Sequence, residues 1–529
     1  MGWLKDPIGP NHPKIGIIYR ILRRFSRSLM SVWFRELDIV DNENLPPDGG
    51  LMFIAWHPSG LIDPILMHAS LPGKLSILAK HTLFKIPIFG RLIRSGGALP
   101  IERASDSNNK EKSRKKNADM LSKVGNEIAN GGRLLLFPEG TTHTESSVKK
   151  ARSGAARIML QAIRESIKLG TSIPRIIPVG LHYSNSQKFR ERGAVILERP
   201  MELPEVPINL DSEEEQNEQD GVWISNVTQS IDYELKRASH SKTSWEDRHL
   251  IWQARSVVYA ERIKQSGEKM KKPNYSESVY GARRMRAGWE FIAKEESKKS
   301  EALVNDSIEH FNELGDLGLS PFDIAAKPEK PSIFGYLKAI ITWIWSAAWM
   351  LGLVTWSAIV GNAPPYQANY VFMWYLKKRD IADSIQGTMK VMSAVVMFPI
   401  WWVISSLTIT WLLLSHSSPV YVLLNMHWLL AKLTLLNPII VFLIFLIWWP
   451  VSGKMHLRLY SKLVQSWRML KRWQRWRGNE HDWDSLYKRQ RLIGERLVSI
   501  GDSLVLPGDP DWISPPTGQD DVLSVKYRS

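Results

Sequence analysis

Three long apolar stretches near the carboxyl-terminal end constrain the fold of this chain more than any other feature of its sequence. They cover residues 339–360, 391–414 and 420–451. The first two are each long enough to cross a bilayer as a helix, whereas polar residues interrupt the third and leave 434–451 as its best spanning part. Most of the chain's 23 tryptophans lie in or beside these stretches, as in an interfacial aromatic belt. The sequence therefore predicts an integral, multi-pass membrane protein.

Basic residues predict the orientation of these stretches. Lys338 precedes the first stretch, and further lysines and arginines fill the loop after it and follow the last one. Between the second stretch and the spanning part of the third, 434–451, the one basic residue is Lys432. Because positive charge stays on the cytosolic side, residues 391–451 are predicted to form a hairpin that crosses out and back. Residues 339–360, which end at the Asn-Ala-Pro-Pro run after Gly361, are then predicted to be re-entrant or interfacial. The other domains would lie on the cytosolic face.

Composition narrows the chemistry that the chain can perform. It has 529 residues, a formal net charge of +16 and no cysteine, which excludes disulfides, thiolate nucleophiles and cysteine-ligated metals. The positive charge fits nucleic acid, an anionic membrane surface or a phosphorylated substrate. The basic residues are spread over membrane flanks and loops, with neither a zinc motif nor an aromatic-basic RNA signature. We therefore expect no nucleic-acid partner.

Short apolar strand-like runs alternate with helical patterns between residues 37 and 205. Such alternation is typical of an α/β fold whose mostly parallel sheet is flanked by helices. The predicted strands are 51–55, 75–79, 97–101, 133–137, 175–181 and 193–198, and the predicted helices are 63–70, 84–94, 110–130 and 151–169.

The segments on either side of this region predict the domain organisation. Residues 14–36 form a basic amphipathic pattern, which fits either a membrane-surface helix or a helix packed on the neighbouring domain. Residues 206–330 are charged and helical by period, with no visible chemistry. The predicted parts are a membrane-surface helix at 1–36, a catalytic domain at 37–205, a helical appendage at 206–330, a membrane domain at 331–460 and a basic cytosolic tail at 461–529.

His57 and Asp63 are the first candidate catalytic residues. His57 follows the apolar run 51–55, where a buried strand would end, and a carboxylate six residues on can hold its imidazole in one tautomer. Such a pair forms a general base that can take a proton from a hydroxyl group. Each residue also has a purely structural interpretation. His57 could be a buried histidine with satisfied hydrogen bonds, and Asp63 could be a helix N-cap before Pro64. The pair alone therefore does not define a site.

Arg103 is a candidate for binding phosphate. It follows the short predicted strand 97–101, at whose exposed end a guanidinium can place two parallel hydrogen bonds on a phosphate. An isolated surface arginine is common, so this residue gains meaning only together with the others.

Glu139 and Gly140 follow the predicted strand 133–137. The carboxylate can accept hydrogen bonds from a polyol hydroxyl or hold a nearby arginine, and the glycine allows a close backbone approach to a ligand. Arg152 lies just before the next predicted helix, and a helix N-terminus with a nearby cation is a common anion site. These segments add a carboxylate and cationic anchors to the histidine base.

The order of these segments resembles the glycerolipid acyltransferase family, whose members move a fatty acyl group from acyl-CoA or acyl carrier protein to a glycerophosphate hydroxyl. The resemblance covers about residues 37–205. The matching blocks, in the family's order, are His57 with Asp63, then Arg103, then Phe137-Pro138-Glu139-Gly140, then Ile177-Pro178-Val179. The resemblance implies that His57 and Asp63 are catalytic and that Arg103, Glu139 and Gly140 bind substrate.

Two departures from the common family pattern resemble one subgroup. Five residues, rather than four, separate His57 from Asp63, and residues 141–143 read Thr-Thr-His where most members have Thr-Arg-Ser. The larger multi-pass enzymes that acylate glycerol 3-phosphate or dihydroxyacetone phosphate share both departures. In that subgroup Thr142 takes the place of a serine and Arg152 that of a lysine, which implies that both bind substrate.

The resemblance implies a membrane-bound enzyme that acylates the sn-1 hydroxyl of glycerol 3-phosphate or dihydroxyacetone phosphate. It implies acyl-CoA or acyl carrier protein as co-substrate and membrane lipids as partners, with no cofactor and no metal. One alternative is a 1-acylglycerol-3-phosphate (lysophosphatidate) acyltransferase, which shares every block. Another is a non-catalytic membrane protein that binds lipid.

Overall fold

The computed structural model describes residues 15–528 except 88, 103–109, 144, 186–187, 209–211, 241–243, 269, 296, 326–332, 380–382, 416–418, 420, 423–425, 427–430 and 479. The chain forms two compact units, Met1–Ala325 with Lys488–Ser529 and Ala326–Tyr487. The first unit contains the main sheet, and the second consists largely of long apolar helices.

In the described part of the first unit, seven strands form one sheet. They are β1 (Phe34–Val40), β2 (Leu51–Ala55), β3 (Leu75–Lys80), β4 (Ala98–Ile101), β5 (Arg133–Leu136), β6 (Arg175–Tyr183) and β7 (Glu191–Leu197). Their order across the sheet is β1-β7-β6-β2-β5-β3-β4, and every neighbouring pair is parallel except β6 with β7. The predicted α/β fold with a mostly parallel sheet is confirmed.

Helices flank the sheet and continue beyond it. In the first unit they are α1 (Ile17–Trp33), α2 (Ile62–Ser70), α3 (Phe89–Ser95), α4 (Lys110–Ala129), α5 (Gly154–Leu169), α6 (Glu213–Ser239), α7 (Trp245–Ser266), α8 (Tyr275–Glu295), α9 (Ser297–Asp316) and α10 (Pro321–Ala325). In the second they are α11 (Ile333–Met350), α12 (Leu353–Lys378), α13 (Asp383–Leu414) and α14 (Pro438–Gly478), and α15 (Glu480–Asp502) runs across the unit boundary. A short pair, β8 (Leu504–Val505) with β9 (Lys526–Tyr527), follows.

Strand β2 brings the loops of the candidate site to one edge of the sheet. All five of its residues are buried, as expected for an apolar run covered on both faces. Parallel pairing sets Ile54 beside Leu136 of β5 and Ala55 beside Val179 of β6. The carboxyl ends of these three strands therefore meet at one edge, which is where open α/β sheets bind ligands.

The amino-terminal helix is continuous with the sheet. Phe34 already belongs to the edge strand β1, so the predicted domain boundary between residues 36 and 37 falls inside a strand. Two arginines of α1 point inward: Arg23 Nη1 donates to Gly73 O and Arg27 Nε donates to Ala69 O, each at 3.1 Å. These carbonyls lie at and just beyond the carboxyl end of α2, where a cation is favourable. The helix is therefore part of the first unit.

The carboxyl-terminal residues return to the first unit. Arg283 of α8 contacts Glu198 Oε2 at 3.1 Å and Asp521 Oδ2 at 2.6 Å. Asp521 is fully buried, and its ion pair ties the last segment to α8. The prediction of a separate basic tail from residue 461 is therefore wrong. Residue 461 lies inside α14, and Lys488–Ser529 belongs to the first unit.

Among the described residues of the second unit, three helices are long and apolar enough to cross a membrane: Ile333–Met350, Gln386–Leu414 and Pro438–Gly478. The first predicted stretch is split, because α11 ends at Met350 and α12 begins at Leu353. Gly352 between the two helices is the N-cap of α12.

Helix α12 also continues through the Pro-Pro pair at which the sequence predicted its end. Pro364 lacks an N–H group, which leaves the carbonyl of Val360 without its helical donor. The indole Nε1 of Trp401 on α13 donates to that carbonyl at 2.9 Å. Packing against a neighbouring helix therefore satisfies the group that proline leaves free.

Candidate functional site

His57 lies just beyond β2, and its imidazole is held from two sides. Its Nδ1 is 2.8 Å from Asp63 Oδ2, so the carboxylate accepts a hydrogen bond and keeps the proton on Nδ1. The ring stacks on Phe137, with centroids 4.2 Å apart and planes at 16°. Nε2 has no hydrogen-bond partner among the described residues, and the side chain is 16% exposed. This geometry suits a general base that is open to a ligand hydroxyl.

Asp63 is fully buried, and both of its carboxylate oxygens have donors. Oδ2 also accepts from the backbone N–H of Ser59 at 2.8 Å, and Oδ1 accepts from the hydroxyl of Tyr183 at 2.8 Å. The N-cap of α2 is Leu61, without a side-chain cap, so the alternative interpretation of Asp63 as the N-cap is wrong. The carboxylate instead orients the imidazole of His57.

Glu139 holds the backbone around His57. It is 2% exposed, and its Oε1 accepts from the backbone N–H of His57 at 2.9 Å. Its Oε2 accepts from the backbone N–H of Lys149 at 2.8 Å and from Nε2 of His143. The backbone N–H of His143 in turn donates to the carbonyl of His57 at 3.4 Å. The sequence predicted a substrate contact for Glu139, whereas this geometry gives its carboxylate three donors within the chain.

Gly140, Thr142 and Arg152 belong to the segment that joins β5 to α5. Gly140 has a φ of +69°, which favours glycine, and the Arg152 side chain packs so closely over it that a Cβ there would lie 3.0 Å from Nε. The backbone N–H of Arg152 donates to Pro138 O at 2.9 Å. Arg152 and Lys150 are exposed, and Thr142 is half-buried. The rim of this segment is therefore positively charged.

The helical region at 206–330, in which the sequence showed no chemistry, contacts residues beside the site. Arg248 of α7 lies over the rings of Trp56 and Trp245, at 5.6 and 5.1 Å from their centroids. Its Nη1 donates to the carbonyl of Ser146 at 3.1 Å. Burial lowers the pKa of Arg248 to about 10, which still leaves the guanidinium charged at neutral pH. Helix α7 thus fixes the loop that also carries His143.

A family model described as Acyltransferase matches residues 36–182. A 1-acyl-sn-glycerol-3-phosphate acyltransferase of Chlamydomonas reinhardtii is 29% identical over 130 residues, which are 24% of this chain and 36% of that protein. A chloroplastic 1-acyl-sn-glycerol-3-phosphate acyltransferase of Brassica napus is 25% identical over 155 residues, which are 28% of this chain and 42% of that protein. The chain carries a domain of the glycerolipid acyltransferase family.

The chain spans only 36% and 42% of the lengths of these two relatives. The crystal structure of a 1-acyl-sn-glycerophosphate acyltransferase from Thermotoga maritima is 18% identical and covers 40% of this chain and 78% of its own, with a TM-score of 0.27.

The acyltransferase domain brings most of the predicted site residues together. His57, Asp63 and Glu139 form one hydrogen-bonded group, and Gly140 packs against Arg152. Arg103 lies outside the described residues. In the described part of the chain, no cluster of three or more histidine or acidic side chains could hold a metal ion.

Two residues that contribute to the hydrogen bonds of this site, Tyr183 and His143, were not among the predicted site residues. Tyr183 is the last residue of β6, and the predicted strand ended two residues earlier, at 181. A longer strand would have been a usable signal, because β6 is parallel to β2 and ends at the same edge as His57. His143 follows Glu139 by four residues, and nothing in the sequence indicates that these two side chains bond to each other.

Proposed function

We propose that the chain is a membrane-bound O-acyltransferase of phospholipid synthesis that moves a fatty acyl group from acyl-CoA or acyl carrier protein to the free hydroxyl of 1-acylglycerol 3-phosphate. The observation that carries the proposal is the imidazole of His57, bonded to Asp63 through Nδ1 and partly exposed. The names of the relatives support this acceptor over the glycerol 3-phosphate that the sequence favoured. The spacing of His57 and Asp63 keeps glycerol 3-phosphate as the second candidate.

The proposed reaction needs one base and no covalent enzyme intermediate. Asp63 holds the proton on Nδ1 of His57, and Nε2 takes the proton of the acceptor hydroxyl as its oxygen attacks the thioester carbonyl. The carbon–oxygen bond forms, the carbon–sulfur bond breaks, and the thiolate leaves with the proton from His57. The products are the ester and the free thiol of coenzyme A or of the carrier protein.

The positive rim supports the phosphate part of the proposal. Arg152 and Lys150 are exposed in the segment that joins Glu139 to α5. A guanidinium binds phosphate with two hydrogen bonds, and the start of a helix adds favourable backbone N–H groups. We assign Arg152 to the acceptor phosphate, with Arg103 as a proposed second contact.

The acceptor specificity can be tested with the purified full-length protein in phospholipid–detergent micelles. The donors would be acyl-CoA and acyl-loaded acyl carrier protein, each with a radiolabelled acyl group. Each donor would be offered with 1-acylglycerol 3-phosphate, glycerol 3-phosphate or dihydroxyacetone phosphate. We expect kcat/KM for 1-acylglycerol 3-phosphate to exceed that for the other acceptors by about tenfold or more, since a bound acyl chain adds buried apolar surface. A preference for glycerol 3-phosphate would favour the second candidate, and turnover of no acceptor would contradict both.

Helix α1 supports contact between the catalytic unit and the membrane. Its outward side chains are large and apolar, namely Ile17, Ile18, Ile21 and Phe25, with exposures of 77, 63, 59 and 44%. Leu22 of α1 faces Gly96 beside α3, and Ile86 and Leu92 on that side are also exposed. Residues 14–35 and 74–101 contain no acidic residue. An apolar face with cations alone suits the interface of an anionic bilayer, on the cytosolic side in our proposal.

The double substitution Ile18→Asp with Ile21→Asp is expected to lower acyl transfer on vesicles about tenfold, because it removes apolar contact and adds negative charge. Transfer to a short-chain, monodisperse acceptor in detergent should be unchanged. Ile513→Asp is the matched control, since Ile513 is 74% exposed in the same unit but lies outside the proposed face. An equal loss in both assays would indicate damage to the fold and would count against the membrane contact.

A further inference from the structure

Tyr183 links the end of β6 to the catalytic pair. Its hydroxyl donates to Asp63 Oδ1 at 2.8 Å, and its ring stacks on Phe34 of β1 with centroids 5.7 Å apart. Burial and the nearby charge of Asp63 raise the pKa of Tyr183 well above its ordinary value. The phenol therefore stays protonated and remains a hydrogen-bond donor throughout the pH range of an enzyme assay.

The Tyr183 hydroxyl meets a need of the buried carboxylate. Asp63 is fully buried and has no lysine or arginine partner in the part of the chain that the structure describes. Its Oδ2 is shared by His57 and Ser59, whereas Oδ1 has Tyr183 as its one donor among those residues. A buried charged oxygen without a donor is strongly unfavourable. Tyr183 therefore stabilises the charge of Asp63 and fixes the orientation of its carboxylate.

We propose that Tyr183 is a positioning residue for acyl transfer, which acts through Asp63 and sets the pH above which His57 serves as a base. This inference rests on the proposed function. The hydrogen bond from Tyr183 draws part of the carboxylate charge away from the imidazole. Less charge facing His57 favours the neutral imidazole, which is the form that can accept a proton.

The other ionisable groups near this pair come from two elements. Glu139 and His143, in the loop after β5, contact the backbone of His57. Tyr275 of α8 lies close enough to contribute to the raised pKa of Tyr183. None of these three side chains donates a hydrogen bond to Asp63 among the described contacts. Tyr183→Phe therefore alters the surroundings of Asp63 without removing another charged group.

Tyr183→Phe is expected to move the acidic limb of the kcat/KM profile upward by about one pH unit and to lower kcat near neutral pH about tenfold. Without the hydroxyl, Asp63 presents its full charge to His57, which favours the protonated imidazole. A higher pH is then needed to free Nε2. The KM for the acceptor is expected to stay unchanged, because the hydroxyl serves Asp63, and the phenyl ring keeps its stacking on Phe34.

Tyr280→Phe is the matched control. The hydroxyl of Tyr280 donates to the carboxylate of Asp41, so this variant loses the same kind of bond in the same unit, but outside the site. Both variants would be assayed as full-length protein in phospholipid–detergent micelles across the pH range in which imidazoles titrate. We expect the acidic limb to move in Tyr183→Phe and not in Tyr280→Phe.

A second measurement follows His57 without any turnover. Diethyl pyrocarbonate reacts with a histidine in its neutral form and not in its protonated form. Mass spectrometry of the peptide that contains His57 gives the extent of modification at each pH. The midpoint is expected to rise in Tyr183→Phe by the same amount as the kinetic limb. An unmoved midpoint in folded Tyr183→Phe would overturn the inference even if kcat fell. A raised midpoint in a protein that acylates no acceptor would support the inference and contradict the proposed function.

Discussion

His57→Ala is expected to lower kcat for acyl transfer by roughly 10³-fold and to leave the fold intact. Alanine removes the base that takes the proton of the acceptor hydroxyl. It keeps the backbone N–H that donates to Glu139 and the carbonyl that accepts from His143, so the surrounding loops retain their hydrogen bonds. The KM for the acceptor should change little, because the phosphate is assigned to the positive rim.

The measurement is a steady-state assay of the purified variant together with its thermal unfolding curve. His249→Ala is the control, since His249 is exposed on α7 and has no place in the proposed reaction. Full activity in His249→Ala and a wild-type melting temperature in His57→Ala would assign the loss to chemistry. Wild-type turnover by folded His57→Ala would remove this base from the mechanism, although the protein would still be an acyltransferase.

Glu139→Gln is expected to lower kcat about 10²-fold and to lower the melting temperature as well. Glu139 accepts three hydrogen bonds, from the N–H groups of His57 and Lys149 and from the ring of His143. A glutamine has one oxygen, so its amide NH2 must face at least one of these donors in a buried position, at a cost of about 1–3 kcal/mol. A displacement of His57 by about 1 Å is enough for a loss of this size.

This variant distinguishes two roles for Glu139: holding the loops around His57, as in the structure, and contacting the substrate, as the sequence predicted. A contact to an acceptor hydroxyl would raise KM in Glu139→Gln and leave the melting temperature unchanged. Glu234→Gln is the matched control, because Glu234 is also buried and accepts from the backbone N–H of Gly518, but outside the site. That control should lower the melting temperature without changing kcat of the folded protein.

Local sequence patterns predicted most of the sheet. Strands such as β2 and β5 are short runs of buried apolar residues that end at turn residues, and their bounds agree with the structure to within one residue. Strand β1 was missed because the polar residues of this edge strand do not form a buried run, and no helix-breaking residue separates it from α1. The split of the first apolar stretch was missed because its apolar pattern continues across Gly352.

The site was predictable where its contacts are local. His57 and Asp63 are six residues apart, so a strand–turn–helix brings them together almost regardless of the rest of the fold. Glu139 lies 82 residues from His57 and Tyr183 lies 120 residues from Asp63, and their roles depend on which strands are neighbours. A carboxylate or a phenol in a sequence does not indicate its partner. The partner of each side chain is known only once β2 is known to pair with β5 and β6.

The return of Lys488–Ser529 to the sheet-containing unit has a consequence for membrane topology. Both ends of the second unit are joined to one folded body, so both must emerge on the same side of any bilayer it crosses. If the second unit spans a bilayer, as we propose, its chain completes an even number of passages, although three of the described helices are long enough to cross. The same connection has a consequence for synthesis: in that arrangement these helices would enter the membrane before the ribosome has made Lys488–Ser529, the residues that complete the sheet-containing unit.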